Sequence, residues 1–68
     1  MTISYSSIIK KALSLKKDHP ELRLGQLVFN ITYDISSGKA DKLRSTKFDC
    51  YYDDNKIYAY IEKFCEDL

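Results

Sequence analysis

Residues that interrupt helices are scarce in this chain, and their scarcity is the strongest constraint on its fold. The 68 residues include one proline, Pro20, and two glycines, Gly25 and Gly38. A sheet of several strands reverses direction many times, and its turns draw heavily on glycine and proline. A few helices need far fewer such residues. The sequence therefore predicts an all-α fold, and its length predicts a single domain over residues 1–68.

Apolar residues in the first quarter of the chain recur with helical spacing. At about 100° per residue, six of them fall within one arc of a helix, and lysine and serine side chains occupy the opposite side. We predict a helix over residues 4–18 that is capped by Ser4. Lys16 falls inside the apolar arc, so we expect its ammonium group to reach past the end of the helix. The six apolar residues are Tyr5, Ile8, Ile9, Ala12, Leu13 and Leu15.

A second helix is predicted over residues 21–35. Pro20 cannot continue the first helix, but proline suits the first turn of a new one. Phe29 and Tyr33, four residues apart, form a second apolar ridge away from the main apolar face. A helix that is apolar on two sides packs between neighbours, so we expect this helix to be central and Leu27 and Ile31 to be deeply buried. The main face comprises Leu24, Leu27, Val28, Ile31 and Ile35.

Polar residues line the second helix between its two apolar faces. Gln26, Asn30 and Asp34 follow one another at four-residue spacing. They suit either hydrogen bonds to neighbouring segments or a ligand site, and the sequence leaves both open. Arg23 is expected to pair with Glu21 or with an acid of the C-terminal segment. Gly25 costs about 1 kcal/mol relative to alanine inside a helix, so we expect it to permit a close contact between helices.

The segment after the second helix is basic. We expect Gly38 to end that helix in a left-handed conformation. Residues 39–47 carry four basic side chains against Asp41, a net charge of +3. Few apolar residues lie among them, so this segment is predicted to be a short helical turn or a loop.

The last third of the chain is acidic. Residues 48–68 carry six acidic side chains against two lysines, a net charge of −4. Apolar residues with helical spacing predict a third helix over residues 54–67, with Asp53 or Asp54 as its N-cap. The predicted architecture is therefore a small three-helix domain with a long connection between its second and third helices.

Two segments carry a resemblance to a known family. Residues 19–27, followed by Asn30, match an HPxLRLGQLxxN-like pattern, and residues 49–57 form an acidic, aromatic segment ahead of the last helix. In both respects the sequence resembles a small family of bacterial and phage proteins. The resemblance covers most of the chain from about residue 8 onward. It implies a small helical domain of phage or mobile-element origin and no particular activity.

The sequence contains no catalytic or metal-binding pattern. His19 is the single histidine, and neither Cys50 nor Cys65 is expected to act beside it as a nucleophile. The acidic run at residues 49–55 lacks the alternation and the glycine of a calcium loop. We therefore expect a protein that is not an enzyme and that uses no cofactor and no metal. The two cysteines are expected to be reduced and buried.

Charge and hydropathy restrict the partners and the compartment. Eleven basic residues against ten acidic ones give a net charge of +1, whereas nucleic-acid binders held by bulk charge are strongly basic. The longest apolar run is residues 27–29, far short of a membrane span. No secretory signal is visible in the first residues. We expect a cytoplasmic protein that does not enter a membrane.

The preferred functional hypothesis is protein–protein interaction through an acidic, tyrosine-rich face. Tyrosine is common at interfaces because its ring adds apolar area while its hydroxyl tolerates water. Bordering carboxylates would select a basic surface on the partner, for example a nucleic-acid-handling host enzyme, which the protein would inhibit or adapt. Closure of the core by the same rings is the alternative role. The predicted binding residues are Asp49, Tyr51, Tyr52, Asp53, Asp54 and Tyr58.

Two other functions remain open. The basic segment could follow the second helix as part of a helix-turn-helix-like DNA-binding module. Small domains also gain stability by association, so a homodimer is possible. The predicted nucleic-acid-binding residues are Lys39, Lys42, Arg44 and Lys47.

Overall fold

The fold is a bundle of four α-helices, seen in a computed structural model that describes residues 5–66. No strand occurs among these residues, so the all-α prediction is confirmed. The predicted count of three helices is wrong, because the first half of the expected long connection is itself a helix. The helices are α1 (Tyr5–Asp18), α2 (Leu24–Ile35), α3 (Ser37–Arg44) and α4 (Ile57–Glu66), and a 3-10 turn (Asp54–Lys56) leads directly into α4.

The turn between α1 and α2 is longer than predicted. Proline does not open α2, because the backbone N–H of Leu22 donates to the carbonyl of His19 at 3.1 Å and forms one more turn first. Lys16 Nζ donates to the carbonyl oxygens of Pro20, at 3.1 Å, and of Leu22. Lys16 therefore reaches past the helix end, as expected, but binds the following turn. The predicted Ser4 cap and residue 67 of the last predicted helix lie outside the described residues.

A single residue, Ser36, separates α2 from α3. Its backbone is extended, with φ −154° and ψ 96°. The N–H of Ser36 donates to the Thr32 carbonyl at 2.8 Å, and its own carbonyl accepts from the N–H of Ala40 at 3.0 Å. Ser36 thus ends one helix and begins the next. The predicted left-handed Gly38 is wrong: neither glycine has a positive φ, and Gly38 lies inside α3.

Helix α2 is central, as predicted, since it contacts α1, α3 and α4. Leu27 and Ile31 are buried, which confirms that expectation. Ile35 and Leu13 are exposed instead, because Ile35 is the last residue of α2 and Leu13 lies at the edge of the apolar arc of α1. The core consists of Ile8, Ala12, Leu27, Val28, Ile31, Cys50, Ile57, Tyr60, Ile61 and Phe64.

One buried hydrogen bond joins α2 to α4. The hydroxyl oxygens of Thr32 and Tyr60 are 2.6 Å apart, and both side chains are fully buried. Thr32 Oγ1 donates its proton to the Phe29 carbonyl at 2.9 Å, so Tyr60 is the donor to Thr32. Burial raises the pKa of Tyr60 to about 12. This bond fixes the distance between the two helices that carry most of the core.

Candidate functional site

The beginning of α2 packs closely against the loop that precedes α4. A Cβ atom on Gly25 would lie 1.9 Å from the carbonyl oxygen of Cys50. The N–H of Gly25 donates to Asp54 Oδ1 at 2.9 Å, and Cys50 Sγ donates to the Gly25 carbonyl at 3.7 Å. Gly25 does permit a close approach, but between a helix and a loop rather than between two helices.

Arg23 and Gln26 complete this joint. Arg23 Nη1 donates to the carbonyl of Tyr52 at 3.3 Å, so its observed partner is a carbonyl and not the expected acid. The backbone N–H of Arg23 donates to Gln26 Oε1 at 3.1 Å, which closes the first turn of α2. Gln26 therefore has a structural role, whereas Asn30 and Asp34 are exposed. The beginning of α2 and residues 50–54 thus stabilise one junction of the fold.

Four aromatic rings form a row beside this joint, with Arg44 placed against them. The centroids of Tyr33 and Phe29 are 5.7 Å apart, those of Phe29 and Tyr51 are 5.5 Å apart, and those of Tyr51 and Tyr52 are 4.8 Å apart. Arg44 Cζ lies 3.9 Å from the Tyr51 centroid. It is also 5.4 Å from the Phe29 centroid and 5.5 Å from that of Tyr52. We call these four rings and Arg44 the Arg44 cluster.

The two ends of the Arg44 cluster face solvent. Tyr52 is 67% exposed and Tyr33 is 45% exposed. Phe29 is buried and Tyr51 is half-buried between them. Stacking of a guanidinium group on aromatic faces stabilises the arrangement by roughly 0.5–2 kcal/mol per contact. The exposed rings of Tyr33 and Tyr52 are therefore held in place by their contacts with Phe29, Tyr51 and Arg44.

The carboxylates of the predicted acidic face order the loop that carries the tyrosines. Asp49 Oδ1 accepts from the N–H of Tyr51 at 3.0 Å, and its Oδ2 lies 3.9 Å from Arg44 Nε. Asp53 Oδ1 accepts from the N–H of Asn55 at 3.0 Å, which confirms the predicted N-cap ahead of the last helix. Both carboxylates thus bind backbone N–H groups of the segment that carries Tyr51 and Tyr52, and Asp49 also lies near Arg44.

Tyr58 is part of a different group of side chains. It is 62% exposed, and its ring pairs with that of Tyr5 at 5.2 Å. A hydrogen bond with Glu62 raises the pKa of Tyr58. Of the six predicted binding residues, five therefore lie in or beside the Arg44 cluster, and Tyr58 lies apart with the beginning of α1.

The four basic side chains predicted to bind nucleic acid have different surroundings in the folded chain. Lys39 Nζ donates to the carbonyl of Phe64 at 2.9 Å, and Arg44 belongs to the Arg44 cluster. Lys42 is exposed, and Lys47 Nζ lies 5.5 Å from the centroid of the Phe48 ring. A helix-turn-helix motif joins its helices through a turn of about 3–4 residues, whereas α2 and α3 are separated by Ser36 alone. The geometry therefore does not assemble the four cations in the way that motif requires.

Among the described residues, the two cysteines and His19 lie in different surroundings. Burial, and next the charge of Asp49, raise the pKa of the Cys50 thiol to about 12, so it is protonated at neutral pH. Cys65 is half-buried, and burial raises the pKa of its thiol as well. His19 is exposed, 3.6 Å from Glu21. Within residues 5–66, no three histidine, cysteine, aspartate or glutamate side chains converge as a metal site.

Two members of the Arg44 cluster are not among the residues predicted for binding. Phe29 and Tyr33 form the second apolar ridge of the sequence pattern, but the pattern does not show that this ridge meets Tyr51.

Comparison with protein-family models, curated proteins and solved structures yields no match. In the part of the chain that the structure describes, no helix has the length and apolar character needed to cross a bilayer.

Proposed function

We propose that this protein is a small, non-enzymatic interaction module that binds another protein through the exposed rings of the Arg44 cluster. The exposure of Tyr52 carries the proposal, because a large ring is held in solvent on a support formed by Tyr51 and Arg44. Interface hot spots are enriched in tyrosine and arginine. A preordered surface also loses little conformational entropy when a partner binds.

The charges around the cluster favour a basic partner surface. Asp49, Asp53 and Asp54 lie in or next to the loop that carries Tyr51 and Tyr52. Arg23 contacts this loop at the Tyr52 carbonyl and Arg44 contacts it at Asp49, so the five side chains have a net charge of −1. Charges at the rim of an interface act mainly on the rate of encounter and on the choice of partner. In line with the family resemblance, we propose a cytoplasmic inhibitor or adaptor of phage or mobile-element origin. A nucleic-acid-handling host enzyme has a basic surface of the required kind.

Affinity capture with matched variants tests this surface. The full chain and its Tyr33→Ala/Tyr52→Ala variant are used as baits in host extract. Tyr58→Ala is the control, since it removes a similarly exposed ring outside the cluster. We expect a protein that the wild type and Tyr58→Ala retain and that the double variant loses. Retention of the same proteins by all three baits would contradict the proposal.

Binding kinetics with the captured partner then separate the rings from the charges. Tyr52→Ala should weaken affinity by about tenfold, through faster dissociation, as truncation of an interface anchor does. Asp54→Asn keeps an oxygen to accept from the N–H of Gly25 but removes a charge. It should slow association at low salt and have little effect at high salt.

If the partner is a second copy of the chain, the Tyr33→Ala/Tyr52→Ala variant should remain monomeric at concentrations where the wild type dimerises.

A further inference from the structure

A pocket of about 390 Å³ opens between α3 and α4. Pockets of roughly 300–1,000 Å³ are large enough for small-molecule ligands. Three of its six lining side chains are lysines, and none of the six is acidic. We call it the lysine pocket, and its lining residues are Lys39, Lys42, Leu43, Thr46, Phe48 and Lys63.

The ammonium groups of the lysine pocket differ in how firmly they are held. Lys39 Nζ donates to the backbone carbonyl of Phe64 at 2.9 Å and lies 5.2 Å from the centroid of the Phe64 ring. Its position is therefore fixed, and an ammonium group has two further N–H donors for a ligand. Lys42 lies one turn further along α3 and is exposed. Together they form a cationic wall of α3 on a chain whose overall charge is only +1.

The opposite wall is less cationic. Lys63 Nζ lies 3.4 Å from Glu66 Oε1 in an exposed pair, which is a weak interaction. Glu62 and Glu66 line the neighbouring groove that shares Phe48 and Lys63. The strongest attraction for an anion is therefore on the side of Lys39 and Lys42.

An aromatic ring lies at the edge of these charges. The ring of Phe48 is half-buried, with Lys47 Nζ at 5.5 Å and Lys63 Nζ at 5.6 Å from its centroid. Thr46 Oγ1 donates to the Leu43 carbonyl at 2.7 Å and accepts from the N–H of Phe48 at 3.2 Å. These two bonds fix the turn that places the ring. A cationic groove beside an aromatic ring is the combination that binds unpaired nucleotides, because phosphates meet the cations and bases stack on the ring.

We propose that the lysine pocket binds a nucleotide, with its phosphate near Lys39 and Lys42 and its base against Phe48. The ligand is either a free nucleotide or one unit of a single strand, since both present the same phosphate and unpaired base. Bases in a duplex are stacked on each other and would not reach the ring. An acidic peptide would pair with the lysines but would have no base to stack on the Phe48 ring. This inference is independent of the protein-binding proposal, because it uses none of the residues of the Arg44 cluster.

Nuclear magnetic resonance titration of the isotope-labelled full chain tests the pocket. The probes are ATP without divalent metal, a short oligothymidylate, inorganic tripolyphosphate and a polyglutamate peptide. We expect ATP or the oligothymidylate to shift the amide signals of residues 39–48 and 63. Comparison of these two ligands then identifies whether the free nucleotide or the single strand is preferred.

Three variants assign the binding to named side chains. Phe48→Leu keeps an apolar side chain and should lower affinity by about tenfold, through loss of base stacking. Lys42→Glu should weaken binding of both nucleotide ligands. For the oligothymidylate it should reduce the slope of log K against log salt by about 0.7, the contribution of one phosphate contact on a single strand. Lys11→Glu is the control, because it makes the same charge change at an exposed position on α1.

Three results would overturn the inference. The first is the absence of amide shifts in residues 39–48 with both nucleotide ligands at low salt. The second is tripolyphosphate or polyglutamate binding as tightly as ATP, with no effect of Phe48→Leu. The third is an equal loss of affinity in Lys11→Glu and Lys42→Glu, which would show attraction by net charge alone. If Phe48→Leu does not fold, the wild type tests the contact with the base, because ATP should then bind more tightly than tripolyphosphate, and equal affinities would overturn the inference.

Discussion

At the scale of single residues, the two glycines show how surroundings decide what a residue type contributes. Both lie inside helices, and neither has a positive φ. A Cβ on Gly25 would lie 1.9 Å from the Cys50 carbonyl oxygen, whereas a Cβ on Gly38 would have no neighbour within 4 Å. The sequence identifies Gly25 as unusual for a helix, but the partner that requires it is 25 residues away along the chain.

Substitution by alanine is therefore expected to change the free energy of unfolding in opposite directions at the two glycines. Gly25→Ala should lower the free energy of unfolding by about 1–3 kcal/mol or more, because the backbone of the Cys50 loop must be displaced. Gly38→Ala should raise it by roughly 0.5–1 kcal/mol, because alanine stabilises an unobstructed helix. Urea denaturation followed by far-UV circular dichroism measures both. A Gly25→Ala variant as stable as the wild type would disprove the close packing at this joint.

At the scale of helices and turns, the sequence predicts those elements that carry an apolar face. The periodic positions of α1, α2 and α4 indicate them with boundaries within a few residues. Helix α3 has only Ala40 buried, with Leu43 half-buried, so its apolar pattern is too short to be distinctive. Contacts made by its polar side chains hold it in place, namely Lys39 on the Phe64 carbonyl and Arg44 on the aromatic rings. Such long-range contacts leave no periodic signal in a sequence.

The contact of Arg44 with the rings predicts that lysine will not replace it. Arg44→Lys keeps the charge near Asp49 but loses the planar group that stacks on Tyr51. We expect the free energy of unfolding to fall by roughly 0.5–2 kcal/mol. Lys42→Arg is the control, since it exchanges the same two residue types at an exposed position of the same helix. Equal melting temperatures for the two variants would show that stacking by Arg44 does not hold α3 in place.

At the scale of the whole molecule, the fold brings together segments that the sequence presents as separate surfaces. The basic residues 39–47 and the acidic, tyrosine-rich residues after them look like competing sites for different partners. In the folded chain, Arg44 of the first segment lies on Tyr51 and near Asp49 of the second. The grouping of tyrosines and carboxylates in the candidate site was visible in the sequence. The contacts that Phe29, Tyr33 and Arg44 make in the same cluster could not be predicted, because they depend on how α2 and α3 pack.

The buried protonated groups of the core make the stability of the whole molecule sensitive to alkaline pH. In the folded chain the pKa of Cys50 is raised from an ordinary 9.0 to about 12, and that of Tyr60 from 10.0 to about 12, in both cases mainly by burial. On unfolding, both groups regain their ordinary pKa and release protons at lower pH. The unfolded state therefore binds fewer protons than the folded state above about pH 9, and stability falls as the pH rises.

We predict that the free energy of unfolding is steady up to about pH 9 and declines between about pH 9 and 12, since each unit of pKa difference corresponds to about 1.4 kcal/mol. Urea midpoints measured across this range test the prediction. Cys50→Ala removes the thiol, so its decline should begin nearer the ordinary pKa of Tyr60 and be less steep. Cys65→Ala is the control, because that thiol is only half-buried and contributes less. An alkaline decline that Cys50→Ala leaves unchanged would mean that other groups, and not the buried thiol, destabilise the fold at high pH.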